Sequence, residues 1–163
     1  MNRGSTFFLK MAVIFLGIPV LALCIFILPE VANEGFEKAK KGSELAYIVF
    51  SILLIMYVSA IPFYFALYQA FRLLSFIDKN QAFSELSVTA LSYIKRSAIT
   101  ISGLYVLSLP FVYIIAEWDD APGLIVIGMV IIGASMVVAV FAAVLKRLLQ
   151  QAIQIKSEND LTV

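Results

Sequence analysis

Three carboxylates and an indole fall within four consecutive positions at Glu117-Trp118-Asp119-Asp120. A hard cation such as Ca²⁺ wants oxygen ligands arranged around it, yet three acids so closely spaced lack the separation of a known calcium loop. Asp120 also has a structural use ahead of Ala121-Pro122, since aspartate caps a helix whose first turn accepts proline. The turn therefore reads as a solvated acidic outer face anchored by Trp118. The rest of the catalytic inventory is sparse. The chain has no histidine and a single cysteine, Cys24, so zinc and haem lack their usual ligands. No phosphate-binding glycine loop and no paired intramembrane carboxylates occur, and no serine has an obvious base in reach. Neither an enzyme nor a cofactor is expected. Cys24 reads as a small apolar residue within a helix.

A second candidate lies at Phe83-Ser84-Glu85-Leu86. Ser84 can cap a short helix with Phe83 packing back as a staple. Leu86, Ala90, Leu91 and Ile94 then share an apolar face, with Glu85, Ser92, Lys95 and Arg96 elsewhere. Phe83, Leu86, Leu91 and Ile94 form a candidate partner-contact surface. Such a helix can lie on a membrane, dock a cytoplasmic partner, or serve as a plain connector packed on its own protein.

The elements that position these residues are four uncharged apolar runs, Met11–Pro29, Leu45–Phe71, Ser97–Ala116 and Ala121–Leu145, of 19, 27, 20 and 25 residues. A bilayer core about 30 Å thick needs roughly 20 helical residues to cross. With 62% hydrophobic and 14% charged residues, the chain is expected to be an all-α, integral membrane four-helix bundle forming one domain. The runs are spans 11–29, 45–71, 97–116 and 121–145, joined by an amphipathic loop 72–96 and followed by a tail 146–163. Unbroken apolar blocks argue against barrel strands. Arg3 and Lys10 before an apolar run resemble a signal peptide, but the run is long and lacks a small-residue cleavage pair, so an uncleaved first span is expected.

Charge sets the expected orientation. An even number of spans puts both termini and loop 72–96 on one side, which then carries nine basic residues against three on the other. Acidic residues lean the opposite way, four against seven. By the positive-inside rule both termini and the loop are cytoplasmic in a cell membrane. Pro29 is expected to close the first span, and Lys146 and Arg147 suit a helix C-terminus at the cytoplasmic headgroups. The second run, about 40 Å long as a helix, is expected to continue past Arg72 until Asp78-Lys79-Asn80-Gln81 breaks it. Tyr47, Tyr113 and Trp118 fall where an outer aromatic belt would.

Within the spans no ionisable acid or base appears, which disfavours an ion-coupled transporter. Pro19, Pro62 and Pro110 should kink the first three spans. Ser135, Ala139 and Ala143 recur every four residues, a helix-packing seam that admits another span of the chain or a second copy in a homo-oligomer.

Phe71 to Ser84 (Phe-Arg-Leu-Leu-Ser-Phe-Ile-Asp-Lys-Asn-Gln-Ala-Phe-Ser), followed by Leu91 and Ile94, resembles the uncharacterised YoaS-like bacterial membrane family, catalogued as a domain of unknown function. The likeness runs over nearly the whole chain, the Ala116–Pro122 turn included. It implies four spans and a neighbouring small helix-turn-helix regulator of the Cro type, and supplies no catalytic residues. Three readings stand: a membrane sensor or sequestering partner of such a cytoplasmic DNA-binding regulator, a self-protection or membrane-stress protein acting at the bilayer or on an outer ligand, and an uncoupled small transporter or channel. Direct nucleic-acid binding is not expected, because the basic residues are few and hug the membrane.

Orientation is open to direct measurement. Cysteines introduced at Lys40 and Asp119 are expected to react with an impermeant thiol reagent in intact cells, and those at Gln81 and Ser157 only after lysis. Labelling at Gln81 in intact cells would invert the arrangement.

Overall fold

The computed structural model describes residues 3–161; the last two residues of the tail 146–163 lie outside the described residues. The described chain is helical between short turns: α1 (Arg3–Ala22), a π-helical turn (Leu23–Ile27), α2 (Leu28–Lys40), α3 (Leu45–Asp78), α4 (Glu85–Trp118) and α5 (Gly123–Leu161). The first three run on as one rod, Arg3–Lys40, so four helices are long and apolar enough to cross a membrane.

Pro29 does not close the first span. It sits in the first turn of α2, directly after the π turn. In that wider turn the Leu28 N–H reaches back five residues to the Leu23 carbonyl. The extra residue gives the proline ring room where an α turn would press it against the preceding carbonyls. The helix therefore survives the proline and carries on to Lys40. Pro19, Pro62 and Pro110 likewise lie inside continuous helices.

Segment 72–96 is not a separate loop bearing a short helix. α3 keeps its helical stripe to Asp78 and α4 begins at Glu85, so most of the segment is two extensions of span helices. Ser84 has the extended backbone of an N-cap, but its hydroxyl donates to the Gln81 carbonyl at 2.6 Å instead of capping the first turn.

Three helices end by one device. Gly42, Asn80 and Asp120 have φ of 73°, 59° and 50°. The next amide then reaches back five residues: Ser43 to Lys38, Gln81 to Phe76 and Ala121 to Ala116, at 3.0, 2.7 and 2.9 Å. This is the Schellman closure. It also corrects the reading of Asp120 as the cap of α5. A residue in the left-handed region lacks the extended backbone of an N-cap, and Asp120 terminates α4.

Packing follows chain order: α1 and α2 on α3, α3 on α4, α4 on α5, with the last two seams the most extensive. No comparable seam joins the first span to α5. Burial runs opposite to that of a water-soluble protein. Thr6, Ser59, Gln69, Ser87, Ser102 and Ser108 are buried, while Phe8, Phe15, Phe26 and Val130 lie exposed. Lipid tails are as apolar as leucine, so large side chains gain little by turning inward and small residues make the seams. Gly35 lies where a Cβ would stand 3.2 Å from Val49 and Phe50, and Gly128 has the same distance to Leu109.

The α4 closure can be tested directly. A non-glycine residue in the left-handed region is held at a cost of about 1 kcal/mol. Asp120→Gly is expected to raise the melting temperature in detergent, and Asp120→Val to lower stability by about 1–2 kcal/mol. The fluorescence of Trp118 reports the unfolding. A melting temperature unmoved by either change would place this turn outside the cooperative unit.

Candidate functional site

The first span meets α3 along a repeat of seven. The Tyr57 hydroxyl donates to the Cys24 carbonyl at 2.9 Å, and the Tyr64 hydroxyl donates to the Gly17 carbonyl at 2.8 Å. The Lys10 ammonium stands 5.2 Å from the Phe71 ring centre. Cys24, Gly17 and Lys10 are seven residues apart on one helix, and Tyr57, Tyr64 and Phe71 are seven apart on the other. Two antiparallel helices keep such a seam in register when their contacts recur at this interval. Gly17 permits the approach, since a Cβ there would meet Leu67 at 3.2 Å. Cys24 is also the carbonyl that Pro29 leaves without its π-turn donor, because Leu28 already occupies Leu23. Tyr57 supplies the missing proton.

Beside this seam lies a cavity of about 310 Å³ lined by all four spans, among them Val20 and Cys24 from the first, Ser59 from the second, Tyr105 from the third and Ile131 and Ser135 from the fourth. Its wall is mostly apolar. The Ser59 hydroxyl donates to the Met56 carbonyl at 2.8 Å. Its 3.1 Å contact with the Tyr105 hydroxyl therefore has tyrosine as donor, which leaves the tyrosine oxygen as an acceptor. A molecule of matching chemistry is apolar over most of its surface with one hydrogen-bond donor. The lining contains no Asp, Glu, Lys or Arg.

At the end of the molecule bearing both termini, Lys10 on α1 pairs with Asp78 on α3 at 2.9 Å. The Lys10 hydrogen bond holds the Asp78 carboxyl below the usual aspartate range; burial opposes this, and the charges of Lys10 and Arg3 and the Thr6 hydroxyl reinforce it. The pair ties the last turn of α3 to the first span.

The structure separates the residues of the expected contact surface. Phe83 and Leu86 are exposed, Ile94 is half-buried, and Leu91 is 5% exposed inside the protein. Glu117, Trp118, Asp119 and Asp120 are all exposed at the α4–α5 turn. Among the described residues, no three metal-ligating side chains come together. Of the small-residue stripe, Ala139 is buried, Ser135 lines the cavity and Ala143 lines a separate groove beside Lys95. Sequence reading missed the tyrosine–carbonyl seam and the cavity. The seven-residue spacing of Tyr57, Tyr64 and Phe71 is the signal that marks the former.

Four apolar helices with their large side chains turned outward define an integral membrane protein. The family model described as "Protein of unknown function (DUF2975)" matches residues 34–163, and the chain belongs to that family. It is similar to the "Uncharacterized membrane protein YoaS" of Bacillus subtilis (strain 168), with 63% identity over 163 residues covering 100% of each chain. No solved structure matches it.

Because Asp78 titrates below its unfolded value, its contribution to stability is complete above the ordinary aspartate range and is lost as pH falls through the lower folded value. Melting temperature in detergent is expected to fall on acidification across that window. Asp78→Asn should lower it at neutral pH and flatten its acid dependence, and an unaltered acid limb in the variant would remove this pair from the account.

Proposed function

We propose that this protein is a membrane sensor or sequestering partner that holds a small cytoplasmic DNA-binding regulator against the bilayer, with both termini in the cytoplasm. The observation that carries the reading is the length of α5. Its apolar stretch ends at Leu145, yet the helix continues to Leu161, rising about 24 Å further. Leu148 and Ile155 are exposed on this extension, with Ala152 between them on the same stripe. The α3 and α4 extensions stand beside it at the same end, with Phe83 and Leu86 exposed at their turn. An apolar stripe at helical spacing, outside the bilayer and unpartnered, has the form of a helix-in-groove docking surface. The intramembrane cavity supplies the second half of a sensor, a place where an apolar molecule can change how the spans pack.

In this reading the protein carries out no reaction and needs no cofactor. Its work is binding, and the signal is the population of a docked state. The resemblance to a family accompanied by a Cro-type regulator names the class of partner, as an analogy.

The test is recovery of that regulator with the detergent-solubilised protein. Leu148→Asp with Ile155→Asp, and separately Phe83→Asp with Leu86→Asp, are expected to reduce recovery tenfold or more, on the order of the loss of two buried apolar anchors. Substituting Leu91 would not serve, because it is buried and its loss would disturb the fold. Equal recovery with every variant, or none with the unaltered protein, would sink the reading.

A further inference from the structure

A groove of about 370 Å³ opens between α4 and α5, lined by Lys95, Lys146, Arg147 and Gln150 over an apolar floor of Ala143 and Val144. The three cations come from two helices and face one space. Among the described residues none of them has an anionic partner; Lys10, by contrast, is paired with Asp78. Lys95 and Lys146 are half-buried, so the shared positive field is screened less than it would be on an open surface. Like charges gathered in this way favour an anion between them.

Depth says which anion. Lys95 lies two residues before the third apolar run, and Lys146 directly follows the fourth. Both therefore stand at the level where hydrocarbon gives way to headgroups. Toward the membrane on the same side, α5 exposes Met136, Val140 and Val144, an apolar wall along which acyl chains can lie. Snorkelling explains a lone lysine at this depth. It does not explain cations of two helices converging on one groove with an apolar floor.

We propose that this groove binds the headgroup of an anionic phospholipid. The phosphate is held among Lys95, Lys146 and Arg147, and the acyl chains run along α5. Arg147 offers the planar donor pair that phosphate oxygens match, and the two lysines act as point charges. Gln150 can hydrogen-bond the polar part of the headgroup at the outer end of the groove. The site is independent of the regulator reading, because it depends neither on the α5 extension beyond Gln150 nor on any cytoplasmic partner.

The experiment titrates the full-length protein in detergent with phosphatidylglycerol, with phosphatidylcholine, and with inorganic phosphate alone, following its melting temperature. Phosphatidylglycerol is expected to raise the melting temperature and the other two to leave it unchanged. In the variant Lys95→Gln, Lys146→Gln, Arg147→Gln the phosphatidylglycerol affinity should fall about fivefold per cation removed. The charge-keeping variant Lys95→Arg, Lys146→Arg should retain it. Should the triple variant fail to fold in phosphatidylcholine, Lys95→Gln alone carries the same test with one fivefold step. An equal rise with phosphatidylcholine, a rise with inorganic phosphate alone, or undiminished affinity in the glutamine variants would each overturn the assignment.

Discussion

A backbone carbonyl inside a bilayer has no water to turn to. Every proline placed in a span, and every departure from the α-helical ladder, frees one that the protein itself must satisfy. In the first span this requirement is met from outside the helix. Pro29 follows a π turn and leaves the Cys24 carbonyl without its donor, and Tyr57 reaches across from α3 to supply one. Seven residues away the Tyr64 hydroxyl donates to the Gly17 carbonyl, a second bond across the same seam. Along α1 and the π turn the first span is thus held by hydrogen bonds to its backbone, while α2 packs by side chains, with Leu28 buried against Val49 and Leu53 and Phe36 edge-on to Phe50. Thr6 is the buried residue of α1, while its phenylalanines face lipid.

That mode of attachment explains the cavity. A span held along one seam need not pack on the rest, and the first span makes no seam with α5 comparable to those of its neighbours. The space between them is lined by all four spans and closed by none of them. α3 and α4 are joined by similar means, a serine–tyrosine contact and the edge-to-face pair Phe65–Tyr93, ring centres 5.4 Å apart. The first span thus packs chiefly on α3, while α3, α4 and α5 share the two most extensive seams. A bound apolar molecule would act on the weakest of these seams, where small free-energy differences shift populations most readily.

The spans were legible because hydrocarbon thickness dictates their length, and no side chain can disguise a run such as Ala121–Leu145. The extension of α3 to Asp78 was equally plain, since Leu67, Phe71, Leu74 and Ile77 keep one helical face past Arg72. Pro29 misled for a definite reason. Proline reads as a stop when the only alternative considered is an α-helix, and a single wider turn removes the clash. Asp120 misled in a similar way: aspartate before Ala-Pro has the composition of an N-cap, but its left-handed backbone makes it the end of the preceding helix. The contact face of segment 72–96 was half legible. Periodicity assembled Phe83, Leu86, Leu91 and Ile94, but could not tell which of them face the neighbouring helices. The cavity left no trace in the sequence, because its lining is drawn from four spans in no local pattern.

The basic residues at the end carrying the termini divide into two kinds by what surrounds them. Lys10 has a carboxylate and an aromatic face within reach, and it ties α1 to the last turn of α3. Arg72, on that same last stretch of α3, lies over the rings of Tyr68 and Phe76 at 5.9 and 5.4 Å. Lys10 is thus engaged in holding the first span on α3, and Arg72 lies against rings of its own helix. Lys95, Lys146 and Arg147 have no such partner, and they stand on the α4–α5 pair, whose seam of small residues is already secure. At the α4–α5 pair packing holds the two helices, and these charges are left for something outside the chain.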